Sequence, residues 1–169
     1  MFPVVSVAGA AQQNVSHQYM TSNSKDNFRD YRELVSKAVV TFQLIEDNLK
    51  LYIKYSFKLI RVHLNSQNIP FRFDGQEYEN APLERLITVF AKLTDNSILI
   101  DRLNKVKNER NYCAHAAFVE YLKKLDADDF EHKKEAERIE AIAKESWDCF
   151  TVLLSEVNGL NDRIMKGTG

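Results

Sequence analysis

Glycine and proline are scarce here, five and three of 169 residues. A chain with so few breakers has little material for turns, so long regular elements joined by short connections are expected. Cysteine occurs only as Cys113 and Cys149, without C-x-x-C spacing. That excludes a disulfide-stapled scaffold, and both thiols fall within helical patterns, as core residues of a reduced, cytoplasmic protein would. No apolar run is long enough to cross a membrane. The opening MFPVVSVAGAAQQ makes a poor export signal, because no positive charge precedes its short, broken apolar run. Neither charge sign is in excess, with 23 Lys and Arg against 24 Asp and Glu, so any pull on a polyanion must come from a local patch. No glycine-rich loop precedes a helix, which removes the P-loop and dinucleotide-binding folds.

What is present is hydrophobic content of 44% and charge of 28%, the balance of one packed globular domain. Residues 1–25 are polar and aperiodic toward their end and read as a loose arm. A helical pattern then runs over residues 26–62. At about 100° per residue, Val35, Ala38, Val39, Phe42, Ile45, Leu49, Ile53, Phe57 and Ile60 fall in one broad stripe. In the crossover that follows, FRFDGQEY carries the Asp-Gly signature of a tight hairpin with two very short strands, a plain surface loop being the alternative. Helix resumes at NAPLERLITVFAKL, where Asn80 is placed to cap and Pro82 suits the first turn. TDNS ends it, and SILIDRLNKVKNERNYCAHAAFVEYLKKL forms one helix, or two joined near Asn108. A last helix opens at DADDF and packs through Ala136, Ile139, Ala143, Phe150, Leu153, Leu154 and Val157, with Gly159 as its terminator. The expected fold is all-α, an antiparallel bundle of about four or five helices over residues 26–160, with residues 161–169 as a tail.

The segment NERNYCAH, residues 108–115, carries the chemistry. Asn111 and His115 are one helical turn apart and share a face, so the amide is placed to orient the imidazole. Arg110 lies about 140° around the axis from His115 and about 7.5 Å along it, so the two converge better if another helix supplies the opposite wall. Ala114, Ala116 and Ala117 let such a helix come close, which points to a helix–helix or subunit seam. Glu46 sits about 40° from Phe42, inside the apolar stripe, where an ionised carboxylate needs a cation. Arg110 is its expected partner, with a planar fork that can bind a carboxylate and still present donors. Lys50 stands at the stripe's edge.

A plainer reading makes these residues a surface salt bridge and a half-buried histidine. Arg102, Lys105, Lys107 and Arg110 then form a solvated face rather than a lure for a polyanion. Cys113 reads as core packing. Cys113 and His115 are two residues apart and diverge on a helix, so they make neither a zinc pair nor a nucleophile with its base. His17, His63 and His132 receive no role.

At Arg110–Asn111 and His115 the chain resembles the HEPN superfamily, small all-α domains of prokaryotic toxin–antitoxin and phage-defence systems. The family motif is an arginine, four to six residues, then histidine, often with a polar residue directly after the arginine. Several branches also carry Glu, three residues, then Lys on an early helix, which Glu46 and Lys50 match. The agreement spans roughly residues 26–158. It implies a metal-independent endoribonuclease without cofactors, a homodimer whose two motifs face each other, acting on RNA and controlled by a cognate antitoxin or defence-system partner. In that scheme His115 is general acid or base, Arg110 steadies the phosphate, Asn111 and Glu46 support them, and Lys50, Lys105 and Lys107 hold substrate. Cleavage would leave a 2′,3′-cyclic phosphate. One toxin branch has a modifiable tyrosine two residues after the histidine; here that residue is Ala117. The alternative is a non-catalytic HEPN module that binds a partner protein or a nucleotide.

Overall fold

The stripe that starts near Val35 holds along a single helix of 44 residues, α1 (Ser22–Asn65). Tyr31, Val35, Ala38, Phe42, Ile45, Leu49 and Ile53 are each at most 2% exposed along it. The structure, a computed structural model, describes residues 22–123 and 129–167; most of the N-terminal arm, and Asp126 and Asp128 of the expected helix start, lie outside them. After a 3-10 turn (Gln76–Tyr78) come α2 (Leu83–Phe90), α3 (Ser97–His115), α4 (Ala117–Lys123) and α5 (Asp129–Gly167). All regular structure among the described residues is helical. No helix among them is long and apolar enough to cross a membrane.

The two longest helices, α1 and α5, form the spine, and they run parallel. Tyr31 lies beside Glu135, and further along both helices Tyr52 lies near Glu156 and Arg163. An antiparallel bundle was expected, and the α1–α5 pair departs from it. The difference arises because α3 supplies the single long return: Asn96 donates to Glu156 at 3.1 Å and Arg102 to Glu145 at 2.7 Å, so α3 descends as α5 rises. Ile139, Cys149 and Leu153 of α5 are fully buried, as are Leu103 of α3 and Leu86 of α2. Each such aliphatic side chain contributes roughly 1.5–3 kcal/mol by leaving water.

The crossover contains no hairpin. Asp74 accepts from the Gln76 amide at 3.0 Å, Gly75 takes φ 91°, and the Tyr78 amide closes onto the Gly75 carbonyl at 3.1 Å. The Asp-Gly turn therefore feeds a 3-10 turn, which uses the backbone groups that a second strand would have offered. Gly75 is required twice over, by its positive φ and because a Cβ there would stand 3.3 Å from the Lys54 Cα. Phe71, Phe73 and Tyr78 gather around Phe57, with ring centroids 5.9, 6.1 and 6.2 Å away. This cluster ties the crossover to the end of α1.

Beyond it, Pro82 rather than Asn80 precedes the first residue of α2, and the Asn96 side chain caps α3 by accepting from the Leu99 amide. Leu83, Leu86, Ile87 and Phe90 bury one face of α2. The Tyr52 ring meets Phe90 edge-on at 4.7 Å, and its hydroxyl donates to the Leu93 carbonyl at 3.2 Å. Helix α3 runs through Asn108 and breaks only after His115, at Ala116.

Gly159 does not end α5 but lies inside it. Leu160 and Ile164 beyond it are 8% and 3% exposed, and their burial carries the helix past the glycine to Gly167. A Cβ at position 159 would meet nothing within 4 Å. Gly159→Ala is therefore expected to raise stability by about 0.5–1 kcal/mol, the helix-propensity difference between the two residues. A urea midpoint that stays put or falls would contradict the helical placement.

Candidate active site

Leu99, Leu103, Val106, Cys113 and Ala117 are buried at helical spacing along α3 and into α4. Arg110 stands in the same register, four residues after Val106, where an apolar side chain would continue the stripe. It consequently faces α1, and there it meets Glu46, Nε to Oε1 3.6 Å. Their side chains are 39% and 22% exposed, so the pair is partly hydrated rather than sealed. Each charge occupies an apolar position of its own helix, and each supplies the other's partner.

Asn111 is exposed and its Oδ1 accepts from Arg110 Nη1 at 3.4 Å. The expected bond from Asn111 to His115 is not formed; the neighbouring guanidinium takes the amide oxygen instead. His115, the last residue of α3, is exposed and has no hydrogen bond or ion pair among the described residues. The structure thus joins Glu46, Arg110 and Asn111 in one cluster and leaves His115 separate from it at the end of the same helix.

Most cations of the basic run have carboxylate partners, and so does Lys50 of α1. Arg102 bonds Glu145 at 2.7 Å, Lys107 meets Glu84 at 3.3 Å, and Lys50 meets Asp47 at 3.3 Å. Lys105 is exposed and has no ion pair among the described residues. The two lysine pairs keep carboxylates that are 68% and 76% exposed. Such pairs hold by about 1 kcal/mol or less, so an arriving phosphate could exchange with them.

The alanines divide. Ala114 is exposed and Ala116 half-buried, but Ala117 is fully buried, and its carbonyl accepts from the Tyr31 hydroxyl at 3.0 Å. Ala117 therefore belongs to the core of the chain itself and not to a surface seam. The apolar surface beside His115 comes instead from α4, where Phe118, Val119 and Leu122 are 37%, 50% and 48% exposed.

Behind the motif lies a polar cluster that the periodicity analysis missed. Glu135 of α5 is 5% exposed and accepts a hydrogen bond from the Tyr112 hydroxyl. The Arg138 guanidinium lies 3.8 Å from the centre of the Tyr112 ring and 3.6 Å from Glu109. Tyr31 stacks on Tyr121 at 4.2 Å, and the His132 ring meets Tyr121 at 5.0 Å. Burial first, and the Glu135 carboxylate second, hold the Tyr31 and Tyr112 hydroxyls protonated well above the usual phenol range. Both therefore remain hydrogen-bond donors. One signal was available: Glu135 lies one turn before Ile139 on the buried face of α5.

Compared with protein-family models, curated proteins and solved structures, the chain finds no match. Among the described residues no three His, Cys, Asp or Glu side chains gather where a metal ion could sit.

The half-exposed pair predicts a mild Glu46→Gln phenotype in stability. The loss is expected to be about 1 kcal/mol or less by urea denaturation, as for other hydrated ion pairs. A sealed pair would lose about 3–5 kcal/mol, and a loss of that size would contradict the observed exposure.

A second expectation concerns alkaline pH. Burial pushes the Cys113 and Cys149 thiols from their ordinary 9.0 up to about 11. Well below pH 9.0 both thiols are neutral in the folded and the unfolded chain, and their contribution to stability is complete. Between 9.0 and about 11 the unfolded chain ionises while the fold keeps its protons, so stability falls as pH rises through this window. Thermal melts should drop progressively above pH 9, and both thiols should resist alkylation at pH 8 until denaturant is added. Rapid labelling of the native protein at pH 8 would contradict the burial.

Proposed function

We propose that this chain is an endoribonuclease domain of the HEPN type. The observation that carries the reading is one helix, α3, bearing a guanidinium anchored by a carboxylate and an exposed imidazole that has no partner of its own among the described residues. A guanidinium held on one edge by Glu46 keeps donors for phosphate oxygens, and histidine is the side chain best suited to moving protons near neutral pH.

The step uses side chains alone. His115 takes the proton from a ribose 2′-hydroxyl, and the 2′-oxygen attacks the adjacent phosphorus. The bond to the 5′-oxygen breaks, and that oxygen leaves with a proton from an imidazolium, which yields a 2′,3′-cyclic phosphate and a 5′-hydroxyl. Arg110 stabilises the extra negative charge on the pentavalent phosphorus, and Asn111 holds the guanidinium from its other side. Lys105 lies ready for the RNA backbone, and Lys50 and Lys107 become available by exchanging Asp47 and Glu84 for phosphate. Because Arg110 and His115 diverge, a second copy completes the site. Ala114 and the exposed α4 residues Phe118, Val119 and Leu122 supply the surface for that homodimer. A cognate antitoxin or defence-system partner would act by covering the same seam.

One observation favours a second reading, a non-catalytic module that binds a partner protein or a nucleotide. The carboxylates on Arg102, Lys107 and Lys50 leave little bare positive surface. The two readings separate in one assay. As a ribonuclease, the protein cleaves RNA in EDTA, spares a substrate with deoxyribose at the scissile position, and loses at least about a hundredfold in rate in His115→Ala and Arg110→Ala, both still helical. Binding without turnover across a broad panel of tRNAs and mRNAs supports the module. Wild-type cleavage rates in His115→Ala would overturn the ribonuclease.

A further inference from the structure

Two hydrogen bonds bracket His115 from outside its own helix. Three residues before it, the Tyr112 hydroxyl is held by Glu135 of α5; two residues after it, the Ala117 carbonyl is held by Tyr31 of α1. Between them lies Ala116, the break between α3 and α4. Helix ends fray because their last carbonyls lack intrahelical partners. A histidine on such an end has a poorly defined position unless something fixes the backbone on both sides. The surroundings are built to do this. Glu135 is 5% and Tyr31 1% exposed, and Tyr31 itself interacts with the Glu135 carboxylate, so α1, α3 and α5 meet at one polar knot. Arg138, over the Tyr112 ring and beside Glu109, holds the same stretch of α3 from its solvent edge.

We infer that Glu135 and Tyr31 are positioning residues for His115, acting through Tyr112 and the Ala117 carbonyl. The inference rests on the ribonuclease reading of His115, but the clamp has a signature of its own. A buried carboxylate is a costly way to fill space, and an apolar residue at position 135 would satisfy packing alone. What an apolar residue cannot do is accept from Tyr112. Tyr112→Phe removes the hydroxyl from which Glu135 accepts, and Tyr31→Phe removes the donor to the Ala117 carbonyl together with its interaction with Glu135; both variants keep the aromatic packing.

The test combines amide hydrogen exchange with cleavage kinetics on the full chain. In Tyr112→Phe, exchange at residues 112–117 should accelerate about tenfold while the amides of residues 150–160 stay as in wild type. Tyr31→Phe should act on the same stretch. kcat should fall about tenfold in both with KM within about twofold, the pattern of lost alignment rather than lost binding. Glu135→Gln, whose amide oxygen still accepts from Tyr112, should retain most of the activity that Glu135→Leu loses. Unchanged exchange at residues 112–117 in Tyr112→Phe would overturn the clamp whatever happens to cleavage. Accelerated exchange with unchanged kcat would overturn the positioning role. If wild type cuts no RNA, the ribonuclease reading falls instead, and the exchange data alone decide whether the clamp exists.

Discussion

Everything in this molecule is hung on the side-by-side packing of α1 and α5. Two helices of 44 and 39 residues with apolar stripes along most of their length bury those stripes chiefly against each other. That leaves one flank of the pair for α3, which runs against both because it is the only long return between them among the described residues. The direction of α3 in turn decides which residues face which helix. Arg110 arrives opposite Glu46 of α1, and Tyr112 opposite Glu135 of α5. The candidate site is thus a consequence of the three-helix arrangement, placed where α3 is about to end.

The polar groups at that end divide into two kinds by their access to water. Glu46 and Arg110 are partly hydrated, so their pairing is worth little to the fold, and the Arg110 guanidinium can be shared between Glu46 and an incoming anion. Glu135 and Tyr31 are buried, and Tyr112 bonds into Glu135 from α3; their value lies in fixing geometry, since satisfied networks rigidify what they connect. A soft, exchangeable front against a stiff back is an arrangement suited to binding a charged ligand without moving the scaffold.

Much of this was legible in the residues. The α1 stripe could be read because 3.6-residue periodicity over so long a window admits no competing pattern, and the anomaly of Glu46 within it led directly to Arg110. Periodicity says nothing about direction in space, however, so the parallel relation of α1 and α5 was not available. Gly159 misled because helix-end signals are local, whereas the burial of Leu160 and Ile164 that overrides them is tertiary. The Asp-Gly pair was correctly a turn, but the residues after it decide between hairpin and 3-10 closure. Ala117 looked like one of a patch of small residues at a seam; only the fold shows that Tyr31 already fills the space beside it. Glu135 was passed over because it sits in a charged stretch of sequence, KKEAER, in which one glutamate happens to point inward.

The central claim is that RNA engages the end of α3. The direct measurement is a two-dimensional NMR titration of the protein with an RNA pool made uncleavable by 2′-O-methylation. The account predicts shifts centred on Lys105, Arg110, Asn111 and His115, with the Arg110 side-chain resonances moving as the donors that Glu46 leaves free take a phosphate. Shifts confined to another surface, or none at these four residues at saturating RNA, would contradict it.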